Sequence, residues 1–194
     1  ENLASNNKRI AKNTLLLYAR MLFLMVVSLY TSRVVLNALG VEDFGIYNVV
    51  GGMVAMFSML SGSLSASITR FITYELGRGD RKKLRTIFSS AVTIQLGLAA
   101  IIIILAEALG IWFLNSKMTI PLDRLAAANW VFQFSVLTFA INLVSVPYNA
   151  SIIAHERMSA FAYISIFEAV GKLAIAYLIT ISPIDRLVFY AILM

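Results

Sequence analysis

Two arginines, an acid–base pair and a polar stripe are the residues of this chain whose types and spacing suggest chemistry. Arg20 and Arg33 interrupt residues 15–39, LLLYARMLFLMVVSLYTSRVVLNAL, a nearly unbroken apolar run. A guanidinium stays charged at any accessible pH and offers a planar fork of donors that matches carboxylate or phosphate oxygens. Glu168 precedes Lys172 by four residues, the favourable order for an ion pair along a helix. Ser135, Thr138, Asn142, Ser145 and Asn149 recur at steps of 3, 4, 3 and 4, which lines one helical face. Free cations, a paired carboxylate and a row of hydrogen-bonding side chains are tools for holding a ligand rather than for breaking bonds. The chain has no GxxxxGK[ST], HExxH or GxSxG, so no residue constellation asks for an enzyme.

These residues must be positioned by membrane-spanning helices. Of the 194 residues 60% are hydrophobic and 13% charged, with a mean hydropathy of +0.83. Soluble domains average nearer 45–50% and 25%. Cysteine is absent and His155 is the single histidine, so neither a thiolate site nor a multi-histidine metal site is available, and no metal or cofactor is expected. Spans are expected at about 14–39, 46–68, 87–114, 125–153, 159–181 and 187–194. This predicts an all-α polytopic membrane protein: a bundle of five complete transmembrane helices and a truncated sixth, in a piece of a longer chain. Residues 69–86, TRFITYELGRGDRKKLRT, read as a basic loop in which Gly77, Gly79 and Asp80 mark a turn and the pieces on either side form short interfacial helices, with Phe71, Ile72 and Leu76 toward lipid.

The basic residues divide unevenly between the two ends of these spans. Lys8, Arg9, Lys12, Arg70, Arg78, Arg81, Lys82, Lys83, Arg85 and Arg157 lie at one end, against Lys117, Arg124 and Arg186 at the other. By the positive-inside rule the N-terminus is expected to be cytoplasmic. The same clusters lack interleaved aromatics, so they do not read as a nucleic-acid surface.

A central arginine costs about 2.5–3.5 kcal/mol in the apolar slab, so each must either snorkel to the headgroups or face a wet interior. Arg20 and Arg33 are 13 residues apart and point about 140° away from one another. Tyr30, Arg33 and Asn37 share a face, which favours Arg33 as the inward one. Arg20 suits an inner-leaflet anchor, with binding as its second role. Asn48, between Gly45 and Gly52, either bonds across helices or faces a lumen. The span-4 stripe is either interhelical hydrogen bonding or the wall of a hydrated cavity, and Pro147 within it frees a carbonyl. Glu168 and Lys172 are either a neutralised structural pair or a cavity-facing pair whose carboxylate couples to an ion or proton. Glu107 lies close enough to the boundary to reach water.

The order of features resembles a known family. LGVEDFGIYN (residues 39–48) matches its first outer turn, a leucine-glycine-x-acid-x-aromatic-glycine-x-tyrosine pattern. SITRFITYELGRGDRKKLR (residues 67–85), with Arg70, Tyr74, Gly77, Gly79 and Asp80, matches its first inner loop. The chain resembles the Wzx-type O-antigen and capsule flippases, within the multidrug/oligosaccharidyl-lipid/polysaccharide exporter superfamily. The resemblance implies the N-terminal lobe of a two-lobe exporter of 12–14 helices in a bacterial cytoplasmic membrane. It implies alternating access that moves an undecaprenyl-diphosphate-linked oligosaccharide, a cavity arginine on the diphosphate, and a partner C-terminal lobe, without which one lobe does not transport. Two other readings stay open: an ion-coupled multidrug exporter of the same superfamily, and a non-transporting scaffold of a polysaccharide assembly complex. The absence of any acid from the first span counts against cationic drugs.

Overall fold

The computed structural model describes residues 2–182 and 185–194, with the side chains of all of these except 2–10 and 58–60. The side chains of Lys8 and Arg9, and Pro183 and Ile184 of the last turn, lie outside the described residues. Among the described residues the regular elements are all helical.

Helix α1 (Asn2–Ala55) passes through Gly40, whose φ of 82° and ψ of 171° break the helical path. A side chain there would be strained, and glycine is not. The chain reverses at this point into two limbs, 2–39 and 41–55. Arg20 and Asn48 border one cavity of about 400 Å³, whereas 28 residues of straight helix would hold them about 42 Å apart. A reversal strands the last carbonyls of the first limb. Arg186 answers part of that need, donating from Nη1 to the Ala38 oxygen at 3.0 Å.

Helix α2 (Ser58–Arg78) follows after a break at Met56–Phe57, so the expected 46–68 span is kinked and runs ten residues further. The expected 69–86 loop is helix on both sides of a tight turn. Gly79, at φ 72°, closes α2 and donates to the Leu76 oxygen. Asp80 then caps α3 (Arg81–Leu105), accepting from the Lys83 amide at 3.0 Å. Ile72, expected toward lipid, is buried, because α2 continues into the bundle here and does not lie on its surface. Replacing Asp80 with Ala is expected to cost about 1 kcal/mol, read as a lower thermal midpoint with unchanged helix content.

Helix α3 widens into a π turn (Ala106–Gly110) before α4 (Ile111–Ser116). Helices α5 (Leu125–Ala154), α6 (Met158–Ile179) and α7 (Arg186–Leu193) complete the chain. Among the described residues four stretches are long and apolar enough to cross a membrane: Ala11–Ala55, Arg81–Ser116, Leu125–Ala154 and Met158–Ile179. The first of them contains the Gly40 reversal. Helix α2, rich in serine and threonine, and α7, at 8 residues, are not among them. The chain is a polytopic helical membrane protein.

Its packing is inside-out by soluble standards. Leu15, Leu22, Leu29, Ile101, Ile104 and Phe167 are exposed, while Ala99, Ala106, Ala127, Ala128, Ala150 and Ala176 are buried. Lipid tails offer no hydrophobic drive for helix association, so small side chains that let backbones close up decide the contacts. Helix α5 is the hub, touching α1, α2, α3, α6 and α7. Two polar ties hold the α3–α4 unit to it. Gln133 donates to Glu107 at 3.1 Å, and Asn115 and Asn129 exchange amide hydrogen bonds at 3.2 and 3.1 Å.

Candidate functional cavity

The rotation of the first limb decides which arginine faces inward. Thr31, Val35 and Ala38 are 8%, 1% and 5% exposed, a buried stripe at steps of four and three. Arg33 lies about 200° around the helix from Thr31, whereas Arg20, eleven residues earlier, falls within about 20° of it. Arg20 accordingly lines the 400 Å³ cavity between the two limbs of α1, α6 and α7, together with Ser28, Asn48, Ser165, Glu168 and Lys172. Its guanidinium stacks over the Phe161 ring at 4.3 Å, and its Nε is buried without a hydrogen-bond partner. A cation over an aromatic face is held electrostatically by the ring while its donors remain available.

Arg33, Tyr30 and Asn37 do share a face, but it is an exposed one, and none of them borders the cavities described here. Tyr30 reaches sideways, its hydroxyl 2.8 Å from that of Tyr177 on α6. Arg33 is seven residues before Gly40, close enough to the helix end for its stem to carry the charge to the interface.

Lys172 and Glu168 form the ion pair their spacing suggested, at 2.8 Å, on the cavity wall. Their side chains are 41% and 62% exposed, so the pair is wet. The cavity thus holds two cations, Arg20 and Lys172, against one carboxylate, Glu168.

A second cavity of about 450 Å³ opens between limb 41–55, α5 and α7. Asn48, Ser135, Thr138 and Asn142 line it beside Gly51 and Gly52, and it shares Tyr47, Asn48 and Met194 with the first. Asn48 ties its Nδ2 to the Phe44 oxygen at 2.7 Å, which leaves the amide oxygen for the cavity. The upper part of the span-4 stripe is therefore a cavity wall. Its lower part diverges: Ser145 bonds the Asn142 carbonyl at 2.7 Å and borders an apolar groove with α3, and half-buried Asn149 borders none of these cavities.

Several polar groups escaped sequence reasoning. Asp43 is 6% exposed and sits 3.3 Å from Arg124, which also bonds Asp185 at 2.8 Å, a clamp joining three helix ends. Gln95 is fully buried in α3 with both amide atoms unpartnered, and Glu75 is buried near the end of α2. Only the clamp left a trace in sequence, as acids and arginines confined to turns at one end of the spans. Among the described residues, His, Asp and Glu do not gather into a metal-binding group.

With this geometry in view, the MatE family description matches residues 18–178, most of the chain. The chain belongs to the MatE family. MatE proteins are membrane transporters of the multidrug/oligosaccharidyl-lipid/polysaccharide exporter superfamily, which contains both flippases and drug exporters. The matched stretch covers both cavities except for α7. The chain is also 23% identical over 124 residues to the uncharacterized membrane protein EpsK of Bacillus subtilis (strain 168), covering 64% of this chain and 24% of that protein. It therefore spans about a quarter of the length of the curated relative it matches. No solved structure matches it.

Proposed function

We propose that this MatE lobe serves an exporter that carries an undecaprenyl-diphosphate-linked oligosaccharide across the bacterial cytoplasmic membrane by alternating access, with its N-terminus cytoplasmic. The observation that carries the reading is Arg20, cavity-facing, backed by Phe161 and with its Nε unmatched. An anion bearing several phosphate oxygens is the ligand a fixed guanidinium selects. Lys172 adds a second positive charge on the facing helix, and Glu168 keeps that lysine in place until the ligand arrives. The Asn48–Thr138–Asn142 wall offers neutral donors and acceptors suited to sugar hydroxyls.

The test is made in the complete protein. Arg20→Ala is expected to lower surface polysaccharide at least about tenfold at unchanged protein abundance, a loss of one charge-assisted contact or more. Arg33→Ala should leave it within about twofold. The reverse ranking would remove Arg20 from the ligand and return the role to Arg33.

Glu168 supports a second reading, an ion-coupled drug exporter, because a wet cavity carboxylate can exchange its lysine for a cation. In that case Glu168→Gln abolishes drug resistance conferred by the complete protein and leaves polysaccharide unaffected.

A further inference from the structure

At the opposite end of the bundle from the Asp43–Arg124–Asp185 clamp, a pocket of about 660 Å³ opens between α2, α3 and the end of α5. This lies within the range of ordinary small-ligand sites. Glu75 lines it, 7% exposed, with its Oε2 buried and making no hydrogen bond. Among the described residues no cation stands within ion-pair distance of that carboxylate. A buried carboxylate in that state is costly, and a ligand that brings a hydrogen-bond donor into the pocket would relieve it.

The same pocket is bordered by Arg81 and Arg85, one turn apart at the start of α3, and neither makes an ion pair among the described residues. Apolar Ile72, Leu84 and Phe88 line the same pocket. His155 completes the rim. Its Nδ1 lies 2.7 Å from the Ser151 carbonyl, which can only accept, so Nδ1 carries the proton. The pocket flanks the Gly79–Asp80 turn and the α5 terminus, both just beyond apolar spans, which is headgroup depth.

Asp80 also lines the pocket, but its carboxylate is engaged by the Lys83 amide as the α3 cap. The unmatched Glu75 and the two unmatched arginines are complementary to a ligand bearing both charges on a short linker. We propose that this pocket binds the phosphoethanolamine headgroup of a membrane aminophospholipid, with Glu75 accepting from the primary ammonium and Arg81 and Arg85 holding the phosphate. A purely anionic headgroup would leave the charge of Glu75 without a counter-charge, and a quaternary ammonium has no N–H to give it. The site shares no residue with the two cavities described above and does not depend on what they carry.

The experiment is the thermal midpoint of the complete protein in detergent micelles doped with phosphatidylethanolamine, phosphatidylglycerol or phosphatidylcholine. A fourth arm uses soluble phosphoethanolamine. Phosphatidylethanolamine is expected to raise the midpoint about 2–4 °C above the other two lipids. Glu75→Gln should erase that advantage and keep any response to phosphatidylglycerol, while Arg81→Gln with Arg85→Gln should diminish both. A shift with the diacyl lipid alone assigns the source to the bilayer, and an equal shift with the soluble compound assigns it to the free headgroup; both support the phosphoethanolamine chemistry. Equal responses to all three lipids in the wild type, or an ethanolamine advantage that survives Glu75→Gln, would overturn the proposal. Comparing lipids within each variant keeps the result independent of the variant's own stability. Should Glu75→Gln not fold, native mass spectrometry of phosphatidylethanolamine retained by wild type against Arg85→Gln gives the same decision: equal retention overturns it.

Discussion

Arg124→Ala is expected to destabilise the protein by about 2–4 kcal/mol, because it leaves Asp43 as a buried charge with no partner. The lower bound reflects the arginine, whose side chain is 33% exposed and partly screened, while Asp43 is shielded at 8%. Asp185, at 38% exposure, is the lesser partner, and Asp185→Asn should cost well under half as much. A double-mutant cycle separates the loss of attraction from the burden of the orphaned acid. Adding Asp43→Asn to Arg124→Ala should recover most of the loss, measured as the unfolding midpoint by circular dichroism in detergent. If the two substitutions simply add, the clamp is a surface ion pair with no energetic role.

Gly110→Ala is the second large effect, and its origin is steric. A Cβ built on Gly110 would stand 2.3 Å from the Cζ of Phe132 and 2.9 Å from its Cε2. The far end of a flexible side chain could yield, but this ring is 2% exposed at the centre of the core cluster. Over-packing of this kind costs about 1–3 kcal/mol, and here the upper end applies, because both groups sit on helices that cannot separate without losing the Gln133–Glu107 tie. Phe132→Leu in the same chain should relieve the clash and restore part of the midpoint, although alone it removes buried volume and destabilises. A Gly110→Ala protein as stable as the wild type would mean that the π turn repacks freely.

How much of this was legible beforehand follows from what a bilayer does to sequence patterns. Apolar run length pointed to a polytopic helical chain, since it reports only the thickness to be crossed. Rotation was the difficulty. On a soluble helix the polar face is the wet one, but a membrane helix is apolar toward both lipid and core. The Tyr30–Arg33–Asn37 grouping was therefore a guide to a shared face, and polarity alone says nothing of which way that face points. The better signal was the Thr31–Val35–Ala38 stripe of smaller side chains, which close packing selects for interior contacts. The span-4 stripe divides for a related reason: Thr138 and Asn142 face α7 and limb 41–55 across a gap, while Ser145 satisfies itself on its own helix. The π turn left no sequence signature, because Ala106–Gly110, AEALG, is sound α-helical sequence that only its fit to Phe132 distinguishes. Glu75 was lost within a charged stretch that read as loop. Once α2 continued through it, one of its acids was carried into the interior.

The bond from Arg186 to the Ala38 carbonyl has an implication for how the protein is made. It joins residues 148 apart in sequence, so the reversal at Gly40 emerges from the ribosome long before the side chain that caps it. At about 5–20 residues per second, the interval is on the order of ten seconds. Throughout that time the stranded carbonyl must be served by water, headgroups or the insertion machinery. The hairpin formed first is finished last.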